Sequence, residues 1–325
     1  MTARRARFLA IVFPLLLPLA VAAQAPSISA LEREISETRP AAAVSTPSSE
    51  LQQALTSRNY ERAERLLADA IARSPASQSL LVQIASVFML DRKPLNAAIA
   101  LKKAEALGPL DNQTRLQLAL AYIAMKRGDW ARPELERLAS EDPPNVVPVY
   151  WLARLDYDAG RYASAIQRLQ RVVAREPALV RAHDNLGLCY EALNQPDEAT
   201  AHYREAIRLN RADAKTASPW PVLNLGILLR TRGELDEAEG LFREALAIDR
   251  HFAPGYYQLG VALEERGRLD DAVGALRQTI SLDPSYAEAY YALSRIYRRR
   301  GQPSEADTAM NQFKRLHESR REGSR

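Results

Sequence analysis

Few side chains in this 325-residue sequence are placed to do chemistry. Four histidines, His183, His202, His251 and His317, are expected to lie apart in different units and form no HExxH or similar ligand set, so no metal site is expected. There is no GxxxxGK[ST] phosphate loop, no GxGxxG after a strand and no GxSxG elbow. The serines, histidines and acids are scattered along helical segments, where solvated faces are the ordinary outcome, and neither a catalytic site nor a cofactor is expected. Cys189, the only cysteine, cannot form an intrachain disulfide, and its setting in LGLCYEAL predicts a buried small hydrophobe.

Two other sets of residues carry binding chemistry. The amides Gln83, Gln117, Asn185, Asn224 and Gln258 each offer a donor and an acceptor, which together match the N–H and C=O groups of an extended peptide. The aromatics Tyr150, Trp151, Trp220, Tyr257 and Tyr291 stand near Arg154, Arg181 and Arg295, a mixture that suits a protein hot spot or stacking on a sugar ring. Core packing is open to any one of these rings.

The elements that position them recur with a period of 34 residues. Units begin at Val44, Gln78, Asn112, Val146 and Val180 and, after a five-residue slip at 214–218, at Pro219, Ala253 and Ala287. The twentieth place is Ala63, Ala97, Ala131, Ala165, Ala199, Ala238, Ala272 and Ala306. The twenty-fourth is apolar throughout, from Leu67 to Met310, and the eighth is small in seven units, among them Ala85, Ala119, Ala153, Gly187, Gly226, Gly260 and Ser294. Apolar residues at three- and four-residue intervals divide each unit into two amphipathic helices, and prolines such as Pro75, Pro109, Pro143, Pro177 and Pro284 end the second of them. Arg211, Arg250 and Glu318 stand where that proline is missing. The eleventh place is usually large and apolar, yet in YWLARLDYDAG it is Asp156. A buried lone carboxylate is costly, so Asp156 either pairs with an arginine or reaches solvent because Tyr157 has taken the packing role; the second is the expectation.

Eight units in this register resemble the tetratricopeptide-repeat family from Val44 to about Glu318. The resemblance implies an all-α protein, a right-handed α-solenoid of about eight 34-residue helix-turn-helix repeats, in which the first helices line a concave groove. Positions that face the groove in this family fall here on Tyr150, Trp151, Arg154, Arg181, Asn185, Trp220, Asn224, Tyr257, Gln258, Tyr291 and Arg295, with Gln83, Gln117, Asp184 and Arg298 beside them. A protein or extended peptide is the expected partner, with an envelope glycan as the alternative. The expected organisation is a leader at 1–23, a Pro/Ala/Ser-rich segment at 24–43, the repeat array at 44–320 and a basic tail at 321–325, with no room for a catalytic domain. Lys314, at a twenty-eighth place that is mostly apolar elsewhere, is expected to end the stack.

The slip places Trp220 between Pro219 and Pro221. Two readings stand open: the stiff restart fixes Trp220 as a binding anchor beside Asn224, or Trp220 covers a gap left by the longer connection.

Arg4, Arg5 and Arg7 precede a short apolar run broken by Pro14 and Pro18, then small residues at Val21-Ala22-Ala23, the pattern of a cleavable secretory leader. Its removal takes three of 44 basic residues against 40 acidic ones, so the mature chain is nearly neutral. Export and the absence of a net basic charge argue against a nucleic-acid partner. An exported protein, periplasmic or secreted and without a stable membrane anchor after cleavage, is expected.

Overall fold

The computed structural model describes residues 49–212 and 217–322; the leader, the segment at 24–43, the opening of the first repeat, most of the slip and the final residues lie outside them. All secondary structure among the described residues is helical. The first helices of the repeats are α1 (Ser49–Thr56), α3 (Gln78–Leu90), α5 (Asn112–Ala124), α7 (Val146–Asp158), α9 (Val180–Ala192), α11 (Trp220–Thr231), α13 (Ala253–Glu265) and α15 (Ala287–Arg299). The second helices are α2 (Tyr60–Arg73), α4 (Pro94–Leu107), α6 (Gly128–Glu141), α8 (Tyr162–Arg175), α10 (Pro196–Ala212), α12 (Leu235–Ile248), α14 (Leu269–Leu282) and α16 (Pro303–Glu322). None of them is long and apolar enough to cross a membrane.

The chain forms two compact units, residues 1–138 and 139–325. Within each, helices pair inside a repeat and each second helix packs on the first helix of the next repeat, as α2 does on α3 and α12 on α13. Successive first helices also touch: α3 meets α5 in the first unit, and α7, α9, α11, α13 and α15 meet in turn in the second. First helices therefore line the inner side of each stack.

Steric fit sets how closely the two helices of a repeat approach. All eight alanines at the twentieth place have 0% exposure, so none has space for a larger side chain without moving its partner helix. The eighth and twenty-fourth places trade volume in five repeats, while Gly260 faces a leucine, Leu276, that has moved into the space a Cβ would need. Where the eighth is Ala85, Ala119 or Ala153, the twenty-fourth is Leu101, Leu135 or Leu169; where it is Gly187 or Gly226, the twenty-fourth is the larger ring of Tyr203 or Phe242. A Cβ on Gly226 would lie 2.6 Å from Phe242 Cε1, and one on Gly187 would enter the Tyr203 ring.

Each turn inside a repeat is closed by one left-handed residue, with φ between 54° and 83°: Arg58, Arg92, Lys126, Gly160, Asn194, Gly233, Gly267 and Gly301. These residues keep the same period and the same slip as the alanines. Only glycine takes this conformation without strain, so the charged side chains at Arg58, Arg92 and Lys126 hold it against a backbone penalty.

Second helices end differently where proline is absent. With Arg211 in that place, α10 runs to 17 residues instead of the 14 of α8 or α12. Arg250 does not lengthen α12, because the Asp249 carboxylate accepts from the His251 N–H at 2.8 Å and turns the chain out of the helix. Across the slip, buried Asn210 acts as a clasp: its Nδ2 donates to the Ser218 carbonyl at 2.5 Å, and its Oδ1 accepts from the Ser218 N–H at 2.9 Å. Arg211 adds two bonds to the Glu244 carboxylate, at 2.9 and 2.8 Å.

Two substitutions separate packing from backbone strain. Gly226→Ala is expected to lower stability by about 1–3 kcal/mol through overpacking against Phe242. Gly267→Ala, where a Cβ meets nothing within 4 Å, is expected to cost about 1–2 kcal/mol from its left-handed backbone alone. Denaturant midpoints at unchanged slope measure both, and Phe242→Leu should rescue only the first.

Candidate functional site

The inner side of the second unit carries the sequence-predicted binding residues, and five of the eleven are buried. Tyr150, Arg154, Asn185 and Gln258 are each 7% exposed and Trp151 only 2%. Trp151 is among the largest fully buried side chains of the described residues and meets Tyr150 edge-on with ring centroids 5.5 Å apart. It is a core residue rather than a groove residue, because its ring volume fills the first helix's packing surface.

Asn185 is the hub of an internal network. Its Nδ2 donates to the Tyr150 hydroxyl at 2.9 Å and to the Arg181 carbonyl at 2.8 Å, while its Oδ1 accepts from Arg154 Nη1 at 2.5 Å. Both ends of the amide are spent inside the protein. In the first unit, Gln83 likewise donates to Ser79 Oγ at 3.2 Å. The expected amide ladder for a peptide backbone is thus broken at Asn185, whose network ties α7 to α9, while Gln258 is buried.

Asn224, half-buried on α11, donates to Asp184 Oδ1 on α9 at 2.9 Å. Asp184 is itself half-buried, and the surrounding protein pushes its carboxyl up to about 6 despite the lowering effects of the Asn224 bond and the Arg154 charge; Glu191 adds to the rise. The same crowding raises Glu191, against the bond it accepts from the Tyr203 hydroxyl at 2.8 Å.

Asp156 overturns the expectation that it reaches solvent. It is 2% exposed; its Oδ1 accepts from Arg161 at 3.1 and 2.9 Å, and its Oδ2 from Arg168 Nε at 2.8 Å. Tyr157 is half-buried and leans on Tyr162, with centroids 5.4 Å apart, so it does not replace Asp156 in the core. The carboxylate is affordable there because two guanidiniums, themselves in reach of water, neutralise it. The arginines five and twelve residues downstream were the readable signal.

The remaining residues keep accessible surface. Trp220 is half-buried, edge-on to Phe252 with centroids 4.9 Å apart, so part of its ring seals the junction after the slip. Tyr257 is half-buried against Tyr286, and burial raises its hydroxyl. Tyr291 is 42% exposed, the one exposed large aromatic carried by a first helix among the described residues. Arg295 lies 5.6 Å over the Tyr291 ring and donates to Glu264 Oε2 at 2.5 Å. Arg295, Arg298 and Arg299 line an open depression with Glu264 and Glu265. Arg181, half-buried, sits 5.8 Å from the Tyr150 ring.

The histidines do not all lie in different units, as the sequence suggested, because two of them share the fifth repeat. His183 on α9 and His202 on α10, the fourth and twenty-third places of one repeat, bring their Nδ1 atoms to 3.4 Å. No group of three or more His, Cys, Asp or Glu side chains suited to a metal occurs among the described residues.

Stacked antiparallel helix pairs that present first helices on an inner face define a helical-repeat solenoid. Tetratricopeptide-repeat family models match residues 51–112, 123–187, 180–213, 223–250 and 257–315, most of the chain, and the chain belongs to that family. Solved structures of similar fold include yeast Tom70 at 16% identity, covering 89% of this chain and 68% of that one with a TM-score of 0.65. PilW, a type IV pilus biogenesis factor, is 22% identical over 62% of this chain and 91% of its own, with a TM-score of 0.56. The Cut9–Hcn1 hetero-tetramer matches at 17% identity, 76% of this chain, 48% of that one and a TM-score of 0.62. No curated protein sequence matched the chain.

Two outcomes follow from the buried charges. The folded form holds the Asp184 proton up to about 6 against an ordinary 3.8, so this group lowers stability above that range and ceases to do so as pH falls through 6 towards 4. Asp184→Asn should therefore raise the melting temperature at pH 7.5 and leave it nearly unchanged at low pH. Arg161→Met with Arg168→Met strands a buried carboxylate and is expected to cost about 3 kcal/mol or more, while Asp156→Asn costs less because the two arginines turn to solvent; chemical denaturation compares them.

Proposed function

We propose that this chain is an exported, non-catalytic scaffold of the cell envelope that binds a partner protein or an extended peptide of one on the inner face of its second unit. Tetratricopeptide-repeat proteins are in general protein-interaction scaffolds. The leader-like pattern at 1–23 supports export. The observation that carries the site is the set of accessible rings and guanidiniums on successive first helices: Trp220 on α11, Tyr257 on α13, and Tyr291 with Arg298 on α15. Aromatic and arginine side chains dominate interface hot spots because they bury large areas with little rotamer loss. The Asn185 network and Trp151 support the face from within.

Affinity capture from envelope extract tests the reading, with mature chain beside a Tyr257→Ala/Tyr291→Ala/Arg298→Ala variant of unchanged thermal melt. A protein held by the first and released at least about tenfold by the second is expected. Equal retention by both would remove the inner face as the site, and retention of glycan in place of protein would replace the partner class.

A further inference from the structure

His183 sits beside Asp184 on α9, but neither it nor His202 takes part in that reading. They come from the paired helices of the fifth repeat, and their Nδ1 atoms are 3.4 Å apart. Two ligands of a tetrahedral ion with metal–nitrogen bonds of about 2.0–2.1 Å are separated by about 3.3–3.4 Å. The pair thus already has the span of a chelate.

The surroundings supply what a metal-binding imidazole needs. His183 Nε2 lies 3.0 Å from the Pro177 carbonyl, which can only accept, so that nitrogen carries the proton and Nδ1 presents a bare lone pair. A backbone carbonyl on the far nitrogen is the usual outer support of a ligating histidine, since it fixes both tautomer and ring orientation. His202 is held by stacking on Tyr190, with planes 4° apart and centroids at 5.3 Å, and the Tyr190 hydroxyl accepts from Gln170 at 3.2 Å. His183 is 8% exposed and His202 half-buried, so an ion approaches past the His202 ring. Glu205 lies one turn further along α10, although Arg208 engages its carboxylate at 2.7 and 2.6 Å.

We propose that the Nδ1 atoms of His183 and His202 form a two-histidine site for a divalent ion of the zinc, copper or nickel class, with water or a donor from a bound partner completing the coordination. Imidazole pairs select these borderline ions over magnesium or calcium, which demand oxygen. Without the ion, His202 carries its proton on Nδ1 and the two rings share it as a hydrogen bond. With it, that proton moves to Nε2, and the half-buried His202 ring turns about its side-chain bonds, a soft torsion for histidine, while the Pro177 carbonyl keeps the His183 ring in place. The rings are inclined by 32° with centroids 5.7 Å apart, so they start nearly end to end and the turn is required.

Tag-free mature chain stripped of metal would be titrated with Zn2+ by calorimetry and with Cu2+ by electron paramagnetic resonance. One Zn2+ per chain, a melting temperature that rises with Zn2+ concentration, and a Cu2+ signal split by two imidazole nitrogens are expected. His202→Gln should weaken Zn2+ binding by about tenfold or more, whereas His251→Gln should not change it. No saturable Zn2+ binding, equal binding by His202→Gln, or a Cu2+ spectrum lacking two nitrogens would overturn the proposal. The spectrum is read on the unaltered chain, so the test survives if a variant fails to fold.

Discussion

The distance between the two helices of each repeat governs this structure, and it is set by side-chain size at three places. Alanine at the twentieth place, a small residue at the eighth and a bulky one at the twenty-fourth interlock so tightly that a single methyl group at Gly187 or Gly226 has nowhere to go. Interiors packed to crystal density respond to added volume with strain rather than absorption, so the repeat geometry is nearly fixed once these residues are chosen. Stacking then follows, because one helix pair leaves an apolar face uncovered until the next repeat buries it. Close approach is reached by three pairings of the eighth and twenty-fourth places: alanine with leucine, glycine with the ring of Tyr203 or Phe242, and Gly260 with Leu276.

From that spacing comes the division of labour between the faces. First helices approach one another on the inner side of each stack, and polar side chains there can reach from repeat to repeat. Arg154, Asn185 and Tyr150 do so between α7 and α9, and Asp184 with Asn224 between α9 and α11. These bonds fix one first helix against the next and remove their atoms from competition for a ligand. Further along the same face Tyr257, Tyr291 and Arg298 retain accessible surface, and the proposed partner site lies there. A buried polar network and an accessible aromatic edge thus share one face.

The helical architecture was legible because the pattern is redundant: eight alanines in one register outweigh any local departure. Side-chain fate was less legible. A groove-facing position says where a Cβ points, while the neighbour one repeat away decides whether an amide stays free, and Asn185 lost its freedom to an arginine and a tyrosine 31 and 35 residues before it. Asp156 shows the same limit, since its neutralising arginines sit in the turn and on the partner helix. The turn residues were readable and overlooked: Arg58, Arg92 and Lys126 occupy the left-handed position that glycine holds in four other repeats. His183 and His202 are 19 residues apart in sequence, and only the pairing of their helices brings the rings together.

Side-chain footprinting of the mature chain in envelope extract, with and without its bound partner, tests the central claim most directly. Protection of Tyr257 and Tyr291, with the outward surfaces of α12 and α14 unchanged, is the predicted result. Protection confined to α12 and α14, with both tyrosines as reactive as in the free chain, would contradict it.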